Sequence, residues 1–272
     1  MKVMELRCPN CGARVRVEEG CKQAICEYCD ASFILDDGKP TGTKVNDKKR
    51  RTRILVECAA LIALGTVLSL IKIPIGHLGG SVTLFSALPL VIICYRHGVK
   101  WGFASTLIYS ILQMLVDIPT VVKLFAPGEG LKWYLALVSI MLDYLVAFTV
   151  IGVASLFSKM KHPTAALTVG ALVGMVCRYI SHFFSGWILY GAWAGWYFDA
   201  AEEGSFASRS EGAAKFSAWV LEHFGSGQGL AAFYSAFYNG LYMIPEIILT
   251  VIGAAAVSAI PFITNRESRL KI

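Results

Sequence analysis

Charge is what this sequence has least of. Asp, Glu, Lys and Arg together make up 16% of the 272 residues, while 56% are apolar. An ordinary soluble domain carries about 25% charged and about 45–50% apolar residues. The shortage excludes a chain that is soluble along its whole length, and the apolar excess excludes disorder, collagen and a coiled coil. Enzyme signatures are missing too. The sequence has no GxxxxGK[ST] loop, no HExxH and no GxSxG, so no catalytic role is expected. Gly225-Ser226-Gly227-Gln228-Gly229 resembles a phosphate loop only superficially. No signal peptide is expected, because a polar, cysteine-rich segment precedes the first apolar run.

From residue 54 the chain becomes a series of apolar runs, at about 54–73, 81–97, 99–121, 133–158, 164–190 and 229–262. A bilayer core takes about 20 residues per helix, so six transmembrane helices are expected, the second and third joined by a short turn at Arg96-His97-Gly98. The net charge of +6 is distributed unevenly. Lys48, Lys49, Arg50, Arg51 and Arg53 precede the first run. Arg96, His97 and Lys100 occupy the second connection, Lys159, Lys161 and His162 the fourth, and Arg266, Arg269 and Lys271 the tail. The first connection, around 74–80, has no Lys or Arg. The fifth holds Asp199, Glu202, Glu203, Glu211 and Glu222 against Arg209 and Lys215. The positive-inside rule then puts both termini in the cytoplasm of a cell-membrane protein. The basic excess is a topology signal, and nucleic acid is not an expected partner.

Residues 1–40 read as a separate module, followed by a basic linker over 41–53. Cys8-Pro9-Asn10-Cys11 and Cys26-Glu27-Tyr28-Cys29 are two CxxC knuckles fourteen residues apart, the spacing of a four-thiolate structural zinc site. Val15, Val17, Ile25 and Phe33 suit short flanking strands. Forty residues bury too little surface to fold unaided, and zinc would supply the missing free energy. A redox CxxC is the competing reading. Cys21 falls off the pattern as a spare thiol. A filled sulfur set leaves no open position for catalysis, and reduced thiols fit a cytosolic N-terminus.

Polar groups at membrane depth are costly and are often functional. Asp143 and Tyr144 lie mid-run. Arg178, His182, Gly186 and Tyr190 recur every four residues on one helical face, and Tyr234, Tyr238, Asn239, Tyr242 and Glu246 lie in the last run. A carboxylate, an imidazole, an amide and aromatic rings suit a small, flat, cationic or hydrogen-bonding heterocycle. The structural alternatives stand beside this. Arg178 could snorkel or pair with Asp143 or Glu246. Glu57 would sit near the headgroups, Asp117 would cap or rim its helix, and Trp101 and Trp196 would join an interfacial belt. Ala59 and Ala63, with Gly65 nearby, permit close helix contact, within the bundle or with a partner.

The segments GGSVTLFSALP (79–89), LDYLVAFTVIGVA (142–154), RYISHFFSG (178–186) and YSAFYNGLYMIPE (234–246) resemble the thiamine-specific substrate-binding subunit of energy-coupling factor transporters. The likeness runs over about residues 54–262 in matching order. It implies an all-α membrane domain, 54–265, of six helices that captures thiamine from outside and works with a transmembrane coupling protein and two cytosolic ATPases. It implies substrate contacts from Asp143, Tyr144, His182, Gly186, Tyr190, Tyr234 and Asn239, with Trp133 as a further aromatic wall. Ala59 and Ala63 match a face that meets the coupling protein. The stretch Gly80 to Leu88 departs from the pattern, having neither an acid nor a tryptophan, and the cysteine module lies outside it. Two alternatives remain: a subunit for another vitamin or a thiamine precursor, and a zinc-ribbon regulator anchored by the bundle.

Overall fold

The computed structural model describes residues 3–8, 12–18, 20–26, 31–36, 39–44, 47–75, 80–126 and 132–264. The N-terminal part is built from strands. β1 (Val3–Arg7) pairs antiparallel with β2 (Arg14–Glu18), and β3 (Gln23–Ile25), β4 (Ser32–Asp36) and β5 (Lys39–Lys44) form a second antiparallel sheet in that order. In β2, Val15 and Val17 point inward while Arg14, Arg16 and Glu18 face out, the two-residue alternation of a half-buried strand. The stretch 41–53, expected as a linker, is divided between β5 and the start of the first helix. Thr41 and Thr43 favour pairing with β4. The run Lys48 to Arg53 is a good helix former, so the helix begins before the apolar residues do.

Among the described residues, five helices are long and apolar enough to cross a bilayer: Arg51–Ser69 within α1 (Asp47–Ser69), α2 (Leu88–Val116), α3 (Trp133–Lys159), α4 (Pro163–Leu189) and α6 (Gln228–Val257). A shorter helix, α5 (Glu211–Phe224), lies in the connection before α6 and is capped by Ser210, whose hydroxyl accepts from the Ala213 amide. α2 is two legs rather than one rod. Gly98 has φ 74° and ψ −165°, a conformation open essentially to glycine. A Cβ on Gly102 would lie 3.4 Å from the Cys94 Cα, whereas eight residues of straight helix span about 12 Å. The chain therefore doubles back, as the Arg96-His97-Gly98 turn predicts.

The second run departs from its expected helix over 81–97. Helix begins only at Leu88, with Pro89 in the first turn, where its missing N–H is harmless. Ser81–Thr83 is instead strand β7, paired with β6 (Lys72–Pro74). Phe85 adopts φ 59°, and Ser86 and Ala87 are buried. Irregular backbone at membrane depth is tolerated only where protein covers it. Here α6 and α1 do so. Gly253 leaves room for the Phe85 ring, and a Cβ on Gly65 would come within 3.0 Å of the Ser86 carbonyl.

The two ends of the bundle are chemically distinct. At the Gly98 end, Glu57 is ion-paired with the Arg96 guanidinium and lies 3.3 Å from His97 Nε2, and Arg96 also donates to the Phe262 carbonyl. Glu57 is thus half-buried in a charge cluster with Arg96 and His97. At the other end Lys72 pairs with Asp117 at 2.7 Å. Trp101 packs half-buried against the main apolar core.

Candidate functional site

Asp143 is carried on a π turn, Met141–Val146, inside α3. Such turns insert an extra residue into the helix and occur often at functional positions. The turn aims the carboxylate at α4, where His182 and Ser185 lie on the buried face. His182 Nδ1 is 3.0 Å from Asp143 Oδ1, and Asp143 Oδ2 accepts from Ser185 Oγ at 2.6 Å and Ser139 Oγ at 3.0 Å. Ser139 Oγ in turn lies 2.9 Å from the Tyr190 hydroxyl. Ser181 anchors the turn by donating to the Leu142 carbonyl at 2.7 Å.

With the carboxylate on the Nδ1 side, Nδ1–H is the donor, and Nε2 of that tautomer is left as an acceptor. Nε2 is buried and has no partner among the described residues. A buried polar atom left unpaired is costly, and in this tautomer Nε2 carries a single directed lone pair.

α6 forms the facing wall. Asn239 Nδ2 donates to the His182 carbonyl at 3.2 Å and to the Ser235 carbonyl at 2.9 Å, and its Oδ1 accepts from the Tyr242 hydroxyl at 2.5 Å. The Tyr242 ring meets His182 edge-on, with centroids 5.9 Å apart. Gly186 permits this closeness: a Cβ there would lie 2.3 Å from Ser235 Oγ. Tyr234 is buried and joins an aromatic cluster with Tyr197 and Tyr238. Burial holds the Tyr197 phenol neutral, its pKa pushed up to about 12. A cavity of about 320 Å³ opens beside the cluster at Ala192, Trp193 and Trp196, and Trp193 meets Tyr190 edge-on.

Of the eight expected contact residues, Asp143, His182, Gly186, Tyr190 and Asn239 are linked in one network, with Tyr234 in the adjoining ring cluster. Tyr144 is half-buried next to Asp143. Trp133 is not brought in. It is 69% exposed and touches only the Tyr134 ring among aromatic neighbours, because it opens α3 ten residues before Asp143, roughly 15 Å along a helix. Arg178 pairs with Glu246 at 3.0 Å, not with Asp143, and lies 4.4 Å over the Phe148 ring. Ala59 and Ala63 are exposed on α1, whereas Gly65 faces inward. Cys8 and Cys26 are described and buried, while Cys11 and Cys29 lie outside the described residues.

The family model described as Thiamine transporter protein (Thia_YuaJ) matches residues 55–197, more than half of the chain. The chain belongs to this thiamine transporter family. It is a family of membrane transporters, not of enzymes, in keeping with the apolar helices. Among relatives, Thiamine transporter ThiT of Bacillus subtilis (strain 168) is 26% identical over 220 residues, which is 76% of this chain and 91% of the relative. Among solved structures, ThiT from Listeria monocytogenes superposes with a TM-score of 0.54 at 21% identity, over 79% of this chain and 98% of that one. At that identity the likeness is one of fold.

The serines went unread in the sequence. Ser139 and Ser185 share a face with Asp143 and His182 respectively, four and three residues away. Hydroxyls at helical spacing from a buried acid are the signal that would have found them.

Proposed function

We propose that this chain is the substrate-binding subunit of an energy-coupling factor transporter, and that it binds thiamine between α3, α4 and α6. Membership of the thiamine transporter family supports this reading. The observation that carries it is the Asp143–His182 pair with its unpartnered Nε2. A ring nitrogen held as an acceptor matches an exocyclic amine on a pyrimidine, the carboxylate offers charge complementarity to a cationic ring, and tyrosine faces attract such a ring.

The membrane domain is read as six helical segments, the two legs of α2 counting separately. The Gly98 end, with Arg53, Lys100, Lys159 and Lys161, is the cytoplasmic side by the positive-inside rule. A coupling membrane protein and two ATPases would complete the transporter, with Ala59 and Ala63 as the contact face on α1.

The N-terminal module is read as a structural zinc ribbon. Cys8 and Cys26 fall in one buried cluster although they flank different sheets. Their backbones are matched as well: the Cys8 amide donates to the Ala13 carbonyl at 2.9 Å and the Cys26 amide to the Ala31 carbonyl at 3.0 Å. Each bond runs from the cysteine amide to the carbonyl five residues on. Cys8, Cys11, Cys26 and Cys29 would hold zinc, which would fix the two sheets to each other.

Equilibrium titration of the purified protein with thiamine, followed by intrinsic tryptophan fluorescence, tests the reading. A saturable response at micromolar thiamine without ATP is expected. A folded preparation that does not respond would refute it, and tighter binding of the bare pyrimidine or thiazole would redirect it to a precursor.

A further inference from the structure

The irregular segment 80–87 runs deep into the bundle. Gly80 lies against Tyr242, its amide donating to the Tyr238 hydroxyl at 3.2 Å, and the Phe85 ring reaches Gly253. Tyr242 and Gly253 are eleven residues apart, roughly 16 Å along α6. Between these levels stands Glu246, 1% exposed. Its Oε1 accepts from Thr83 Oγ1 at 2.6 Å and from Arg178 at 3.0 Å, and Thr83 Oγ1 in turn accepts from Ser86 Oγ at 2.6 Å. Phe85, between the two hydroxyl residues, holds the left-handed backbone that a bulky side chain rarely adopts. Two fixtures therefore hold the segment: a Ser86–Thr83–Glu246 hydrogen-bond chain, and a ring in a glycine slot.

We propose that Glu246 is a positioning residue for ligand binding: backed by Arg178, it pins Thr83 and, through it, Ser86, and so sets Gly80 against Tyr242 and Tyr238 at the wall of the ligand site. Glu246 does not touch the ligand. A buried acid unites segment, α4 and α6 because one of its oxygens accepts from both the Arg178 guanidinium and the Thr83 hydroxyl. The inference rests on the thiamine-binding reading for its effect on affinity, but its effect on the segment needs no ligand.

The test uses the full chain in detergent. Thr83→Val removes one anchoring hydroxyl and leaves the ion pair intact. Amide exchange over 80–86, measured without ligand, should then rise about tenfold, and thiamine should dissociate about tenfold faster, the scale of one hydrogen bond to a charged group. Glu246→Gln keeps an acceptor for Thr83 but leaves the buried Arg178 charge unpaired, so it should lower the melting temperature and raise exchange over 80–86 as well. Glu246→Leu with Arg178→Met removes both charges, so no arginine is stranded. It should melt near wild type yet retain fast exchange over 80–86. Unchanged exchange in Thr83→Val, or a double variant that recovers wild-type exchange, would overturn the proposal. Wild-type chain that fails to bind thiamine would sink the ligand reading instead, leaving the exchange result to decide this one.

Discussion

Asp143 Oδ1 and His182 Nδ1 meet at 3.0 Å from two different helices, and this contact fixes which face of the imidazole remains available. Ser139 and Ser185 hold the other carboxylate oxygen, so the acid cannot turn away without losing two bonds. The arrangement positions a hydrogen-bond acceptor and a negative charge within one wall, which, on the proposed reading, suits the neutral aminopyrimidine and the cationic thiazolium of thiamine.

Asp143→Asn keeps the shape and removes the charge, and His182→Ala removes the acceptor. Hydrogen bonds to charged groups contribute about 1.5–3 kcal/mol, or about 10- to 150-fold in a binding constant. Each variant should weaken thiamine binding within that range while the bundle stays folded. Fluorescence titration beside a melting curve separates the two effects, and normal binding by both variants would remove these residues from the site.

Gly186→Ala should be damaging by contact alone. The new methyl would lie 2.3 Å from Ser235 Oγ and 2.9 Å from Asn239 Nδ2, so α4 and α6 would have to separate where they are best packed. Overpacking of this kind costs about 1–3 kcal/mol. Gly195→Ala is the control, with nothing within 4 Å of its added Cβ. The first should lower both melting temperature and affinity, the second neither.

How far the sequence could be read depends on the kind of signal. Run lengths placed the ends of α4 and α6 within a few residues, because a bilayer leaves long helices little choice. The same logic overran at 81–87. An apolar run does not reveal that Ser86 and Thr83 form a hydrogen-bond chain to Glu246 from non-helical backbone, and only the paired glycines and β-branched Val82 and Thr83 hinted at it. Four-residue spacing grouped Arg178, His182 and Gly186 on one buried face. It left Asp143 and Glu246 both open as partners of Arg178, and the structure pairs it with Glu246. Trp133 rests on resemblance alone: it stands exposed at the start of α3, and no spacing in the sequence ties it to Asp143 or His182.

Gly98→Ala probes the reversal in α2. At φ 74° and ψ −165° a Cβ is strained whatever the space around it, at a cost of about 1–3 kcal/mol. The strain falls beside the Arg96, His97 and Glu57 cluster, which locks the turn to α1. A lower melting temperature with near-normal thiamine affinity is expected, since the ligand site lies at the other end. A variant as stable as wild type would contradict the reversal.

Metal removal should act only on the N-terminal module. The buried cluster around Cys8 and Cys26 contains few large side chains, chiefly Phe33 and Leu35 with Val15 and Val17, too little to hold two small sheets without a cross-link. One zinc per chain is expected by metal analysis, and none in Cys8→Ser or Cys29→Ser. Stripping it with a chelator should expose the module to protease while thiamine still binds. Metal-free protein with an intact, protease-resistant module would refute the zinc site.

The two sides of α1 separate packing from partnership. Gly65 faces inward, where an added Cβ would lie 3.0 Å from the Ser86 carbonyl and 3.3 Å from the Tyr109 ring, so its small size serves the bundle. Ala59 and Ala63 are exposed beside Leu55, Val56 and Val67. Small residues four apart on a lipid-facing surface let a second helix approach closely. Ala63→Leu, alone or with Ala59→Leu, should therefore leave thiamine titration and melting unchanged, because neither side chain touches the core. Uptake by cells that carry the complete transporter should fall at least about tenfold, the effect of losing roughly 1.4 kcal/mol of helix contact. Gly65→Leu should do the reverse of this split, lowering stability before any partner is involved. Normal uptake by the double alanine variant would place the partner's contact on another helix.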